Sequence, residues 1–200
     1  MTWNPLSRWP RFVVICMVAA VVCLLEGCAV DGTPVGTKES AESPRPAVRQ
    51  TDAQGRNLPF RTVFPNRWSG NNDGSDYEPC TAFDNATLRR LQIDSRSVRD
   101  VARSDYQTAR GCEWSYLEEY LSTAAQLVGD APAHDPTLAG YLNVYGDSWE
   151  WFKPWRVAGR DALISSLGPD HCATHLLSGT AIVTSLVSLF PAPDDISIAC

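Results

Sequence analysis

Three histidines, His134, His171 and His175, are the side chains of this sequence with an ordinary pKa near neutrality. Acyl-transfer chemistry needs such a base beside a nucleophile and an orienting acid. No Gly-x-Ser-x-Gly elbow accompanies them. Glycoside hydrolysis needs two carboxylates at a set distance, and Glu113, Glu118, Glu119, Asp147 and Glu150 are available. Acidic residues at this frequency more commonly form a solvated face. Phosphate cradles of the P-loop or Gly-x-Gly-x-x-Gly type are absent from the sequence. Gly74 sits like the central glycine of a calcium loop, but the twelfth position is Cys80 rather than Glu, so Asp73 and Asp76 are expected in a structured turn, with a weak calcium contact as the alternative. These patterns name no catalytic residue and no cofactor.

Cysteine chemistry is better specified. Of seven cysteines, Cys16 and Cys23 fall in an apolar N-terminal run and Cys28 closes it. Cys80, Cys112, Cys172 and Cys200 remain, an even number that reads as two disulfides in an exported domain. Three connectivities exist. Cys80–Cys112 with Cys172–Cys200 is favoured, because each pair joins segments expected to be neighbours. The competing reading is a metal-binding lipoprotein, invited by His171-Cys172-x-x-His175. On a strand those two histidines would stand about 13 Å apart and could not share one ion; only a helix would bring them together. No metal residue is assigned.

The densest unusual feature is aromatic. Tyr141, Tyr145, Trp149, Trp151, Phe152 and Trp155 crowd into one short segment. Trp149 and Trp151 share a face if the segment is extended. Tyr141, Tyr145, Trp149, Trp151 and Trp155 therefore form the expected binding surface. Such rings stack on sugars, insert at a lipid interface or anchor a protein. The competing reading is that they fill the core.

These groups need elements to position them. Arg8 and Arg11 precede an uncharged apolar run, Phe12 to Leu25, too short to span a bilayer and suited to a signal peptide. It ends in Leu25-Glu26-Gly27-Cys28, which resembles a bacterial lipobox with an unusual Glu26. Residues 1–27 are thus expected to be a lipoprotein signal peptide. Cys28 becomes the lipidated N-terminus, carrying palmitate-type acyl chains. Two chains anchor a protein stably where one does not. The expected location is the extracytoplasmic face of the cell membrane.

Residues 28–59 are rich in Gly, Pro, Ser, Thr and charge and lack apolar periodicity, so they are expected to form a flexible tether. Its root-mean-square reach is on the order of 30 Å. Residues 60–200 form the folded part. Asp84 can cap a helix over Asn85–Leu91. Ser95 to Ala102 suggests a second short helical piece. Arg110 to Tyr116 reads as a strand, and Leu121 to Val128 is ambiguous. Asp135-Pro136 fits a helix start running to about Tyr145. Val157 to Leu167 reads as a strand. His171–Leu177 and Ala181–Leu189 read as a hairpin joined at Ser178-Gly179-Thr180. The expected fold class is α+β: a single small domain with an antiparallel sheet and flanking short helices, stapled by two disulfides.

The 200-residue chain has formal net charge −6 and only two lysines, Lys38 and Lys153. That balance argues against a nucleic-acid partner, which needs a basic face. Tyr77-Glu78-Pro79-Cys80-Thr81-Ala82, Leu91-x-Ile93 and Gln107-Thr108-Ala109-Arg110-Gly111-Cys112-Glu113-Trp114 form a recognisable series. Phe64-Pro65-Asn66-Arg67-Trp68, Asn72-Asp73-Gly74 and Gly159-Arg160-Asp161-Ala162 add to it. Together they resemble the actinobacterial lipoprotein family of unknown function, of LprB and LprC type, over residues 60 to 200. The family pattern continues past its last Cys into a closing helix, whereas this sequence stops at Cys200. The resemblance implies a cell-envelope lipoprotein and carries over no catalytic residue. The expected function is a membrane-anchored, non-catalytic binding or adaptor module for an envelope lipid, glycan or protein. The alternative is an envelope hydrolase acting on a glycan or ester.

Overall fold

A computed structural model describes residues 47–118 and 121–194 of the protein. Seven antiparallel strands form one sheet in the order β1-β2-β3-β7-β6-β5-β4. They are β1 (Arg99–Asp100), β2 (Ala109–Ser115), β3 (Thr123–Asp130), β4 (Trp151–Val157), β5 (Arg160–Gly168), β6 (His171–Ser178) and β7 (Ala181–Ser188). Two meanders, β1–β3 and β4–β7, meet where β3 pairs with β7 from Thr123↔Ser188 to Asp130↔Ala181. Three short helices flank them: α1 (Pro79–Ala82), α2 (Asn85–Arg90) and α3 (Leu138–Tyr145). The expected α+β class with an antiparallel sheet holds.

Register assigns the faces. Arg110, Cys112 and Trp114 stand opposite Val128, Gln126 and Ala124, which stand opposite Val183, Ser185 and Val187. This first face is covered by the segment before β1. Leu58, Cys80, Leu88 and Ile93 pack there on Cys112 and Trp114, with Phe60, Trp68 and Phe83 at their margins. The Cys80–Cys112 disulfide is formed and ties α1 to β2. Cys200 lies outside the described residues, so the expected Cys172–Cys200 pairing does too.

Three buried charges lie among these apolar groups. The Arg67 guanidinium donates to both Glu78 carboxylate oxygens at 2.8 and 3.2 Å and to both Asp100 oxygens at 3.1 and 3.0 Å. Burial works against its charge, but Glu78 and Asp100 more than offset that and raise its pKa. Arg110 donates to the Ser75 and Tyr77 carbonyls. Its Nε lies 3.6 Å from Glu78, and Nε and Nη1 have no hydrogen-bond partner. Burial lowers the Arg110 pKa, against the pull of Glu78. Fully buried ion pairs depend on both partners being present.

Several expectations need correction. Signal residues 1–27, Cys28 and the tether to residue 46 lie outside the described residues. The end of the expected tether is not flexible spacer, because residues 47–59 pack into the fold. Asp52 is 3% exposed. Its carboxylate accepts from Gln54 N, Arg56 N, Thr81 Oγ1 and the Arg56 guanidinium, and burial is outweighed by the Thr81 and Arg56 contacts, which hold its pKa at about 2. The turn they close delivers Leu58 to the core. The second helical piece reduces to a 3-10 turn, Ser95–Ser97, followed by β1. The ambiguous segment is strand β3. α3 is capped by Thr137, whose hydroxyl accepts from Gly140 N, and not by Asp135. The single strand expected over Val157–Leu167 is β5, preceded by β4, with a tight turn at Ala158-Gly159 between them.

Candidate functional site

α3 lies on the second face of the sheet. The loop before it folds back on its first turn: a Cβ at Gly140 would stand 2.1 Å from the Asp135 carbonyl oxygen, so glycine is required there. The helix period places Tyr141 and Tyr145 on one side, with ring centroids 4.8 Å apart. A 3-10 turn, Gly146–Ser148, then swings Trp149 back toward the sheet.

These rings enclose one imidazole. His175 on β6 has Tyr141 at 5.1 Å, Trp149 at 5.1 Å and Phe152 at 5.3 Å between centroids. Its Nε2 lies 2.7 Å from Ser165 Oγ and its Nδ1 lies 2.9 Å from Thr184 Oγ1. A neutral imidazole has one donor and one acceptor nitrogen, so both hydroxyls are satisfied without charge. Burial pushes the His175 pKa from 6.5 down to about 4. Thr184 also shares a hydrogen bond with Tyr141, whose phenol pKa is raised by burial.

The Ser165–His175 contact has the spacing of a nucleophile and base. Both residues are fully buried, and the group behind the imidazole is a hydroxyl, not a carboxylate. An aromatic lid therefore stands between this pair and any substrate. The pair acts as a polar core clamp that joins β5, β6 and β7.

Beside the lid, α3 stands off the sheet and leaves an open cleft of about 350 Å³. Tyr141, Tyr145 and Trp149 form one wall; Leu127, Ile182, Thr184 and Leu186 form the floor. Asp130 and Thr108 line its β2–β3 end. The Asp130 carboxyl is pushed up by burial, although it accepts from Gly74 N at 2.7 Å. Size and lining match a small-ligand site, apolar with a few polar groups.

The expected aromatic surface therefore divides. Tyr141, Tyr145 and Trp149 meet at the cleft. Trp149 and Trp151 do not share a face, because Trp149 precedes the strand and packs on Phe152 while Trp151 points the opposite way along β4. Trp151 lies under the Lys153 ammonium at 4.6 Å, and Trp155 is 56% exposed.

The other candidates do not converge. His134 is exposed in the loop before α3. His171 lies on strand β6, with its Nδ1 2.7 Å from Asp170. Glu113 is held by Arg99 at 3.0 and 2.6 Å, and Glu118, Asp147 and Glu150 are exposed. Glu119 lies outside the described residues. Among the described residues, no cluster of three His, Cys, Asp or Glu is placed to hold a metal ion. Sequence reasoning missed Ser165, Thr184 and the clamp on His175; the one available signal was His175 at an inward position of an alternating strand. No family model, no curated protein and no solved structure matches the chain.

Proposed function

We propose that this protein is a lipid-anchored, extracytoplasmic binding module of the cell envelope, holding a small apolar or ring-bearing ligand under α3. The observation that carries the reading is the open aromatic-walled cleft between Tyr141, Tyr145, Trp149 and the floor of β3 and β7. Supporting it from the sequence are the signal-like N-terminus ending in Cys28 and the resemblance to envelope lipoproteins. A binding role fits better than a hydrolase, since the one nucleophile–base contact among the described residues is sealed beneath the cleft wall.

The test is the mass of the full chain isolated from bacterial membranes, under native and denaturing conditions. Mass present only in the native spectrum identifies the ligand class. Ala109→Trp, which fills the cleft from the β2 side, is expected to remove it. A bare native protein would overturn the ligand-carrying reading.

A further inference from the structure

We propose that the β4–β5 hairpin is a docking finger that lays one face on an anionic lipid surface. The inference rests on the membrane-anchored location given above, and uses the face of β4 opposite to the one on which Phe152 meets Tyr141 and Trp149. Residues 153–161 are exposed without interruption. Strand register sorts their side chains. Trp151, Lys153, Trp155 and Val157 fall on one face of β4, and Arg160 joins them as the partner of Val157. This stripe is about 20 Å long. It alternates ring, cation, ring and aliphatic group, with a second cation at its end. Trp155 is 56% exposed and Val157 36% exposed.

Charge selects the occupant. The chain carries net charge −6, yet residues 153–160 hold Lys153, Arg156 and Arg160 and no carboxylate. Arg156 is spent on the opposite face, 3.4 Å from Asp161. Lys153 and Arg160 remain on the aromatic face. The Arg160 guanidinium donates to the Leu177 carbonyl, which holds its charge beside β6 at the end of the stripe. A neutral glycan would account for the tryptophans and not for the cations. A protein strand adding to this sheet edge is disfavoured by Pro154, which lacks an N–H, and by Lys153 beside it. Tryptophan with flanking cations is the composition that settles at a lipid interface with anionic headgroups. Docking would hold an otherwise acidic domain against the membrane.

The test uses the full chain purified from bacterial membranes and reconstituted in two vesicle types. One contains phosphatidylglycerol and the other only phosphatidylcholine, each with acyl chains brominated near the headgroup. Flotation reports the anchor, and quenching of tryptophan fluorescence reports the hairpin. Quenching is expected with phosphatidylglycerol and is expected to drop in Trp155→Ala. Lys153→Gln with Arg160→Gln keeps every tryptophan and should lower the docked fraction roughly fivefold per cation removed. Protein that floats without quenching of Trp155, or is quenched equally on both vesicle types, overturns the docking finger alone. Protein that does not float overturns the docking finger together with the anchor.

Discussion

His175 Nε2 and Ser165 Oγ lie 2.7 Å apart in a space that neither shares with solvent. The imidazole must stay neutral, because the rings of Tyr141, Trp149 and Phe152 offer no counter-charge. The same arrangement that resembles a catalytic pair is thus a source of pH-dependent stability. With the folded pKa at about 4 and the ordinary value at 6.5, the unfolded chain binds the additional proton between those values. Stability is then full above pH 6.5 and falls as pH drops toward 4, by about 3 kcal/mol in all. Asp130, whose carboxyl pKa is raised, works in the opposite sense. Titration of the His175 ring by NMR separates the two. A midpoint near 4 is expected, and one above 6 would show that water reaches the ring.

The buried ion network predicts opposite outcomes for neighbouring charges. Glu78 serves Arg67 through two hydrogen bonds and lies 3.6 Å from Arg110. Glu78→Gln leaves two buried cations facing Asp100 alone, and should cost about 3–5 kcal/mol. Arg110→Met removes a cation two of whose nitrogens have no hydrogen-bond partner. It should be neutral or stabilising, by up to about 2 kcal/mol. Urea midpoints of the two variants at pH 7 decide this, and equal losses would contradict the unsatisfied geometry.

The two proposed staples differ in where they act. Cys80–Cys112 closes a loop of sequence separation 32 in the main core. Replacing both cysteines by alanine should cost about 3–4 kcal/mol on the chain-entropy account. A Cys172–Cys200 pair would tie β6 to the end of the chain. Each disulfide removes two hydrogens, so the oxidised protein should lie about 2 Da below the reduced one per bond. A deficit equal to one bond would leave the Cys80 pair alone.

What was legible in the sequence follows from how local its causes are. The β6–β7 hairpin could be read because alternation and Gly179 are both local. The Asp84 cap was legible for the same reason, whereas the Cys80–Cys112 pair, 32 residues apart, rested on the even cysteine number and on the helix and strand it joins being expected neighbours. β4 was not, because Pro154 and the exposed run 153–161 look like a loop when no partner strand is known. Arg67 and Arg110 look like surface cations, and only the folded chain brings Glu78 to them. The aromatic segment showed that rings cluster, but not that Trp149 packs back on Phe152 while Trp151 takes the opposite face of β4.

Gly111 gives the most direct test of how β2 is seated. A Cβ there would stand 2.0 Å from the Gln126 carbonyl oxygen and 2.9 Å from Leu127 Cα, both backbone atoms of the paired strand β3. No side-chain rotation relieves that contact, so Gly111→Ala must push β2 away from β3. The displacement would reach Cys112 in the disulfide and Gln126, which accepts from the Tyr77 hydroxyl at 2.5 Å. A loss of at least about 3 kcal/mol is expected. Gly159→Ala is the control. That glycine has φ +81° at the hairpin turn and open space around it, so only backbone strain applies. It should cost about 1–2 kcal/mol. Thermal melts of both variants compare the two, and a Gly111→Ala protein as stable as the Gly159→Ala one would show that β2 does not lie this close to β3.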